Sequence, residues 1–364
     1  IFNLPTVAYS GEIDRQKQAA DVMAREMKKV GLELTHIIGP KTAHRYEPGA
    51  KAEVSRRIDA IVEKGREPYP KEIKFVTYTL RYNRCGWATV EGLGRHWEPA
   101  RVQGKIGNGG RITLATENVT ALTIHFGPDN VLPLRDVVID GRRVFTLAAA
   151  IKGGLLGHFA KTDGNWSVVT RFWHGKKPGL QGPIDDAFMD RFLMVRPTGK
   201  PLNDKVGAWA AGEMKHAIEQ WRSQFRGDAP VKDDSAVTAE DIASSNLVLW
   251  GDPSSNAILA KIADKLPVKW TRNGVKLGDQ TYDAGTHVPV LIYPNPLNPK
   301  KYVVLNSGFT FREYAQLNNA RQVPKLPDYA VVDVTTPPNS RWPGKVVRAG
   351  FFGEKWELLP DDGR

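Results

Sequence analysis

The stretch LPTVAYSGEIDRQKQAADVMAREMKKVGLELTHIIGPKTAHRYEP, Leu4 to Pro48, holds two short apolar runs with one helix-length segment between them. LPTVAYSGEID reads as a strand that closes on Asp14, and LELTHIIG as a second strand followed by His44. Between them, Ala19, Ala20, Val22, Met23, Met27 and Val30 recur near the 3.6-residue period, so Arg15 to Val30 is expected to be a helix with one apolar stripe. Gly31 is placed to end it, since glycine tolerates the positive φ of a helix terminus. A strand, a helix and a second strand in this order make a parallel pair, whose carboxyl ends lie on one edge. Asp14 and His44, 30 residues apart, each follow one of those ends. Their side chains are therefore expected within hydrogen-bond reach of each other.

The pattern strand-GEID-helix-strand-TAH resembles the last third of serine α/β-hydrolases of the prolyl oligopeptidase type. In that fold the triad runs Ser, then Asp or Glu, then His along the chain, so the resemblance implies that Asp14 and His44 are its last two members. A serine hydroxyl needs a base to take its proton as it attacks an acyl carbon, and an imidazole with an ordinary pKa of about 6.5 suits that task. The carboxylate fixes the imidazole tautomer and stabilises the imidazolium that forms. Read singly, Asp14 also suits a helix cap and His44 an ordinary loop. His36 lies inside the second strand and reads as packed or at an edge. No G-x-S-x-G occurs: Ser10, Ser254, Ser255 and Ser307 sit in YSGE, DPSSN and NSGF. The chain starts at Ile1 with no initiator Met, charged n-region or apolar h-region, so its first residues neither show nor exclude a signal peptide. The expectation is thus the C-terminal portion of a peptidase or esterase, inactive alone, whose nucleophile and oxyanion-hole loop come from an upstream part of the same polypeptide. The resemblance leans towards a secreted or periplasmic setting.

Composition narrows the classes. The chain has 364 residues, enough for two or three domains, with 41% hydrophobic and 25% charged residues, as in ordinary globular proteins. No apolar run reaches the roughly 18 residues of a spanning helix. One cysteine, Cys85, excludes an internal disulfide and a cysteine metal cage. The net charge of +11 raises the question of nucleic acid, but Lys and Arg are spread as pairs such as Arg56-Arg57 and Lys300-Lys301 with no dense tract. A solvated surface is the expectation, with a field favourable to anionic substrates or polymers as the other reading. No cofactor, metal or nucleic acid is expected.

Three segments follow from the patterning. Residues 1–66 read as the end of the hydrolase domain, closing with a helix over KAEVSRRIDAIVEK that buries Val54, Ile58, Ile61 and Val62; GREPYP, 65–70, reads as a linker. Residues 71–174 alternate with period two and carry glycine-rich turns, which predicts a β-sandwich-like domain of seven or eight strands, including one over KFVTYTLRY and a hairpin at Asp140-Gly141. Residues 176–364 alternate apolar strands with helices, which predicts a flavodoxin- or Rossmann-like sheet, with a long helix packing Trp209, Met214, Ile218, Trp221 and Phe225 and an inserted hairpin turning at Asn273-Gly274.

Other clusters read as structural. Asp252, Ser254, Ser255 and Asn256 follow a strand where ligands favour open α/β sheets, yet GDPSSN lacks a dinucleotide or P-loop fingerprint, and Ser254 or Ser255 is expected to cap a helix. Asp185, Asp186 and Asp190, with His174 upstream, lack calcium-loop spacing and read as loop and cap residues. Trp87, Trp97, Trp166 and Trp173 are expected in a core, with a sugar-binding face as the other reading. The alternative for the whole chain is a carbohydrate- or partner-binding module attached to a hydrolase relic.

Overall fold

The computed structural model describes residues 2–170, 175–316 and 325–360, except the side chains of 147–150. It is a mixed α/β protein with many strands and few helices. The chain forms two compact units. One holds 1–78, 82–93 and 97–172, and the other holds 79–81, 94–96 and 173–364.

The first unit begins with β1 (Val7–Gly11), α1 (Lys17–Lys29), β2 (Thr35–Gly39) and α2 (Pro48–Lys64). The two strands pair in parallel from Val7↔Thr35 to Gly11↔Gly39, so their carboxyl ends are level. α1 ends as expected, with Gly31 at φ +74°. Burial departs from the expected stripes. Only Met27, Ala50 and Val54 are buried apolar residues among the described part of 1–66, while Met23, Ile58 and Val62 are 45%, 46% and 71% exposed. A two-stranded sheet offers too little surface to cover two helices. Asn3 joins this portion to the next, its side chain exchanging hydrogen bonds with the backbone of Lys74.

Residues 71–170 hold ten described strands rather than seven or eight, in two five-stranded sheets. The alternation of Ala100–Ile106, buried and exposed at successive residues, shows why one face of each strand is apolar. Trp87, in the turn between Arg84–Cys85 and Ala88–Leu93 of one sheet, lies against Gly104 of the other, where a Cβ would stand 2.5 Å from the indole and force the buried ring to shift. Asp140 and Gly141 take φ +50° and +79° between paired Ile139 and Arg142, the hairpin turn expected. The strand expected over KFVTYTLRY is shorter: Glu72–Thr77 is extended, and Leu80–Tyr82 turns into a 3₁₀ segment that buries Leu80.

The second unit is built on a seven-stranded sheet. Val231–Asp233, Phe192–Arg196, Asn246–Leu249 and Asn298–Leu305 run parallel in that order; His287–Asn295, Tyr329–Asp333 and Lys345–Gly350 continue it antiparallel. The sheet is therefore mixed, not wholly parallel. The inserted hairpin is present, with Thr271 opposite Gly274, so its loop is Arg272-Asn273, one residue earlier than expected. The helix Asp204–Phe225 buries Trp209 and Met214, and Trp221 stacks edge-on against Phe192 at 4.6 Å, while Phe225 is 49% exposed. Lys176 and Asp328, both fully buried, form an ion pair of 2.6 Å. No described helix is long and apolar enough to cross a membrane.

Candidate functional site

Asp14 and His44 meet just past the level ends of β1 and β2. The Nδ1–H of His44 donates to Asp14 Oδ2 at 2.9 Å, and the other carboxylate oxygen accepts the Gln16 amide at 2.8 Å. One oxygen therefore braces the residue before α1, which has no side-chain cap of its own, while the other holds the imidazole. The Gln16 amide first, and the His44 ring second, hold the Asp14 carboxyl below the usual carboxylate range. An ionised carboxylate on Nδ1 leaves Nε2 as the basic nitrogen. The Asp14 side chain is 11% exposed and that of His44 76%, so the imidazole is open on its outer side.

The loop bearing His44 is held by residues that the sequence did not single out. Gly11 touches it so closely that a Cβ there would lie 2.2 Å from the carbonyl oxygens of Thr42 and Ala43. The Ile13 amide donates to Thr42 O at 3.1 Å. Tyr9 Oη donates to Arg45 O at 2.8 Å and accepts the Glu47 amide at 2.9 Å, while its ring stacks on Tyr46 at 4.4 Å. Glu47 in turn caps α2, accepting from the amides of Gly49 and Ala50, which hold its carboxyl below its ordinary value. The signals were the glycines ending both strands, in SGE and IGP, and the aromatic in β1.

His36 makes a different set of contacts. Its Nε2 is 3.0 Å from Ser10 Oγ, with Ser10 buried, and its Nδ1 lies 3.8 Å from an Asp21 oxygen. Both Asp21 oxygens already accept from Lys17 Nζ at 3.0 Å. A carboxylate spent on an ammonium does not orient the ring as Asp14 does, so Ser10, His36 and Asp21 tie β1, β2 and α1 together.

The remaining clusters separate. In the second unit Asn256, rather than Ser254 or Ser255, caps the helix Ala257–Ile262 by accepting from Ile258 N and Leu259 N. Asp252 folds its own loop, taking the amides of Ser254, Ser255 and Leu202. Asp185 accepts from Thr310, Asp186 from the Tyr302 hydroxyl at 2.7 Å and Asp190 from Lys301, so the three acids face three different partners. His174 and Trp173 lie outside the described residues. No group of three metal-ligating side chains occurs among the described residues. Trp87 and Trp166 are buried, and Trp97 is 37% exposed.

Comparison with protein-family models, with curated proteins and with solved structures gives no match.

Proposed function

We propose that this chain is the C-terminal portion of a serine hydrolase of the prolyl oligopeptidase type, cleaving peptide or ester bonds, in which His44 is the general base and Asp14 its orienting carboxylate. The observation that carries the reading is the 2.9 Å bond from His44 Nδ1 to a carboxylate that a backbone amide holds in place, at the carboxyl edge of a parallel strand pair. In the reaction, Nε2 takes the proton of a serine hydroxyl as the oxygen bonds to the acyl carbon. It then gives that proton to the leaving amine or alcohol, and a water repeats the cycle on the acyl-enzyme. The serine and the oxyanion donors belong to a segment preceding residue 1.

The exposed faces of Met23, Ile58 and Val62 support such a segment, because parallel sheets are normally covered on both sides. The test uses the complete reading frame. It is expected to encode G-x-S-x-G upstream, to hydrolyse small esters or peptides, and to be labelled by a fluorophosphonate. Labelling should be lost on His44→Ala at an unchanged melting temperature. A reading frame without an upstream serine elbow, or labelling that persists in the variant, refutes the assignment.

A further inference from the structure

Two concave places carry positive charge. The cavity beside Arg312 in the second unit, about 30 Å³, has room for a single water, and its cations are engaged: Arg312 pairs with Glu213 at 2.7 Å, Lys325 lies over Phe311 and Arg341 over Tyr314. The second is an open cleft of about 460 Å³ on the β portion of the first unit, lined by Lys105, Asn108, Arg111, Thr113, Arg135 and Asp136. We propose that this cleft binds a tetrahedral oxyanion carried on a sugar, the sulfate or phosphate ester of an acidic oligosaccharide.

The cleft is assembled by a turn. Gly107–Gly110 folds back on Pro133–Arg135, with the Arg135 amide donating to Gly110 O at 2.8 Å. Gly110 at φ +81° has the Pro133 carbonyl where a Cβ would stand, so only glycine lets the turn lie there. Strand pairing sets Lys105 opposite Thr113, and Arg111 opposite Asp136. Three cations thus ring the cleft with one acid among them, and that acid reaches Arg111 only at 3.5 Å. Lys105, Asn108, Thr113 and Arg135 have no side-chain partner among the described residues, and they present ammonium, amide, hydroxyl and guanidinium donors together. Such donors match the several acceptor oxygens of a sulfate or phosphate ester through charge-assisted bonds. No aromatic ring lines the cleft, so stacking on a nucleobase has no platform here. On the same face of the strand Ala100–Ile106 as Lys105, Gln103 is exposed, and its amide can hydrogen-bond sugar hydroxyls.

The proposal is independent of the hydrolase reading and is tested on this chain directly. Calorimetric titration with a fully sulfated heparin-derived tetrasaccharide, its desulfated counterpart and pentamannose 6-phosphate is expected to give one-to-one binding of a charged sugar and none of the desulfated one. The tighter of the two charged sugars names the ester. The double variant K105E/R135E, both positions exposed, should bind at least about tenfold more weakly, since two charge-assisted bonds are lost. The pair K269E/K300E of the second unit, with the same charge change, should stay within about twofold, because it alters net charge without removing a donor of the cleft. Asn108→Ala with Thr113→Val, which leaves the charge unchanged, should also weaken binding. Failure of both charged sugars to bind, equal binding of the desulfated sugar, or equal losses in the two charge-reversal variants overturns the proposal.

Discussion

The sheet that carries Asp14 and His44 and the sheet of the second unit obey the same strand rules with opposite outcomes. β1 and β2 are two strands with three buried apolar residues around them, whereas Leu247, Val248, Leu249, Val303 and Val304 in the seven-stranded sheet have no exposed surface. The first sheet takes its order from polar clasps, namely Tyr9 on the 45–47 loop, Gly11 against Thr42, and Ser10 with His36. The second takes it from packing. The proposed base is on the thin sheet, whose edge leaves the His44 side chain 76% exposed because few neighbours surround it.

The largest effect that would break this contrast is catalytic. On the proposed reading, His44→Ala in the full reading frame should lower kcat by about 10²–10⁴-fold, the usual worth of a general base. His216→Ala, which removes a ring bonded to Glu313 Oε1 at 2.8 Å in the second unit, should leave kcat within about twofold. Steady-state kinetics on both variants decides, and comparable losses would erase the distinction between the two regions.

The next effect belongs to the packed unit. Lys176→Met strands a buried Asp328 carboxylate, whose pKa burial already pushes up, and should cost about 3–5 kcal/mol in urea unfolding, because a broken buried pair leaves a charge without compensation. Leu247→Ala should cost about 2–5 kcal/mol as a filled core position is emptied. Met23→Ser on α1, 45% exposed, should change stability by less than about 0.5 kcal/mol. Should Met23→Ser prove as damaging as Leu247→Ala, α1 is covered in solution and the thin-sheet description fails.

The smallest effect concerns pH. Lys232 first, and then the Thr238 amide, hold the Asp241 carboxyl at about 2. A carboxyl depressed in the folded state stabilises above its unfolded value, near 3.8, and that contribution disappears as pH falls through about 2. Asp241→Asn should therefore lower the melting temperature modestly at pH 6 and converge on the wild type near pH 2. Parallel curves across that range would remove Asp241 from the acid response.

Local chemistry was legible in the sequence wherever one residue type answers one geometry. Asp140-Gly141 foretold its turn because both central residues need positive φ, and the Asp14–His44 spacing foretold the hydrogen bond because strand, helix and strand fix where the two ends emerge. What depends on partners was not. The stripe on α1 is real, yet no pattern within the helix states how much sheet lies beneath it. His287–Asn295 and Asn298–Leu305 both read as buried strands, but only the two-residue connection at 296–297 reveals them as an antiparallel hairpin, and runs apolar on both faces hide direction. Asn256 was passed over as a cap for the serines beside it, because an N-cap is chosen by where the loop ends. The basic cleft has no sequence signature, since Lys105, Arg111 and Arg135 are scattered along the chain and gathered only by strand register.

Asp14 spends one oxygen on the residue that leads into a helix and the other on the imidazole, so the aim of the ring and the start of that helix share a single support. Fraying of α1, which buries only Met27, would let the ring swing before any core residue in the second unit moved. Warming this chain should then release the His44 ring from Asp14, read in its NMR signals, at a temperature below the main unfolding transition, with the thin sheet acting as a thermal fuse for the pair it carries.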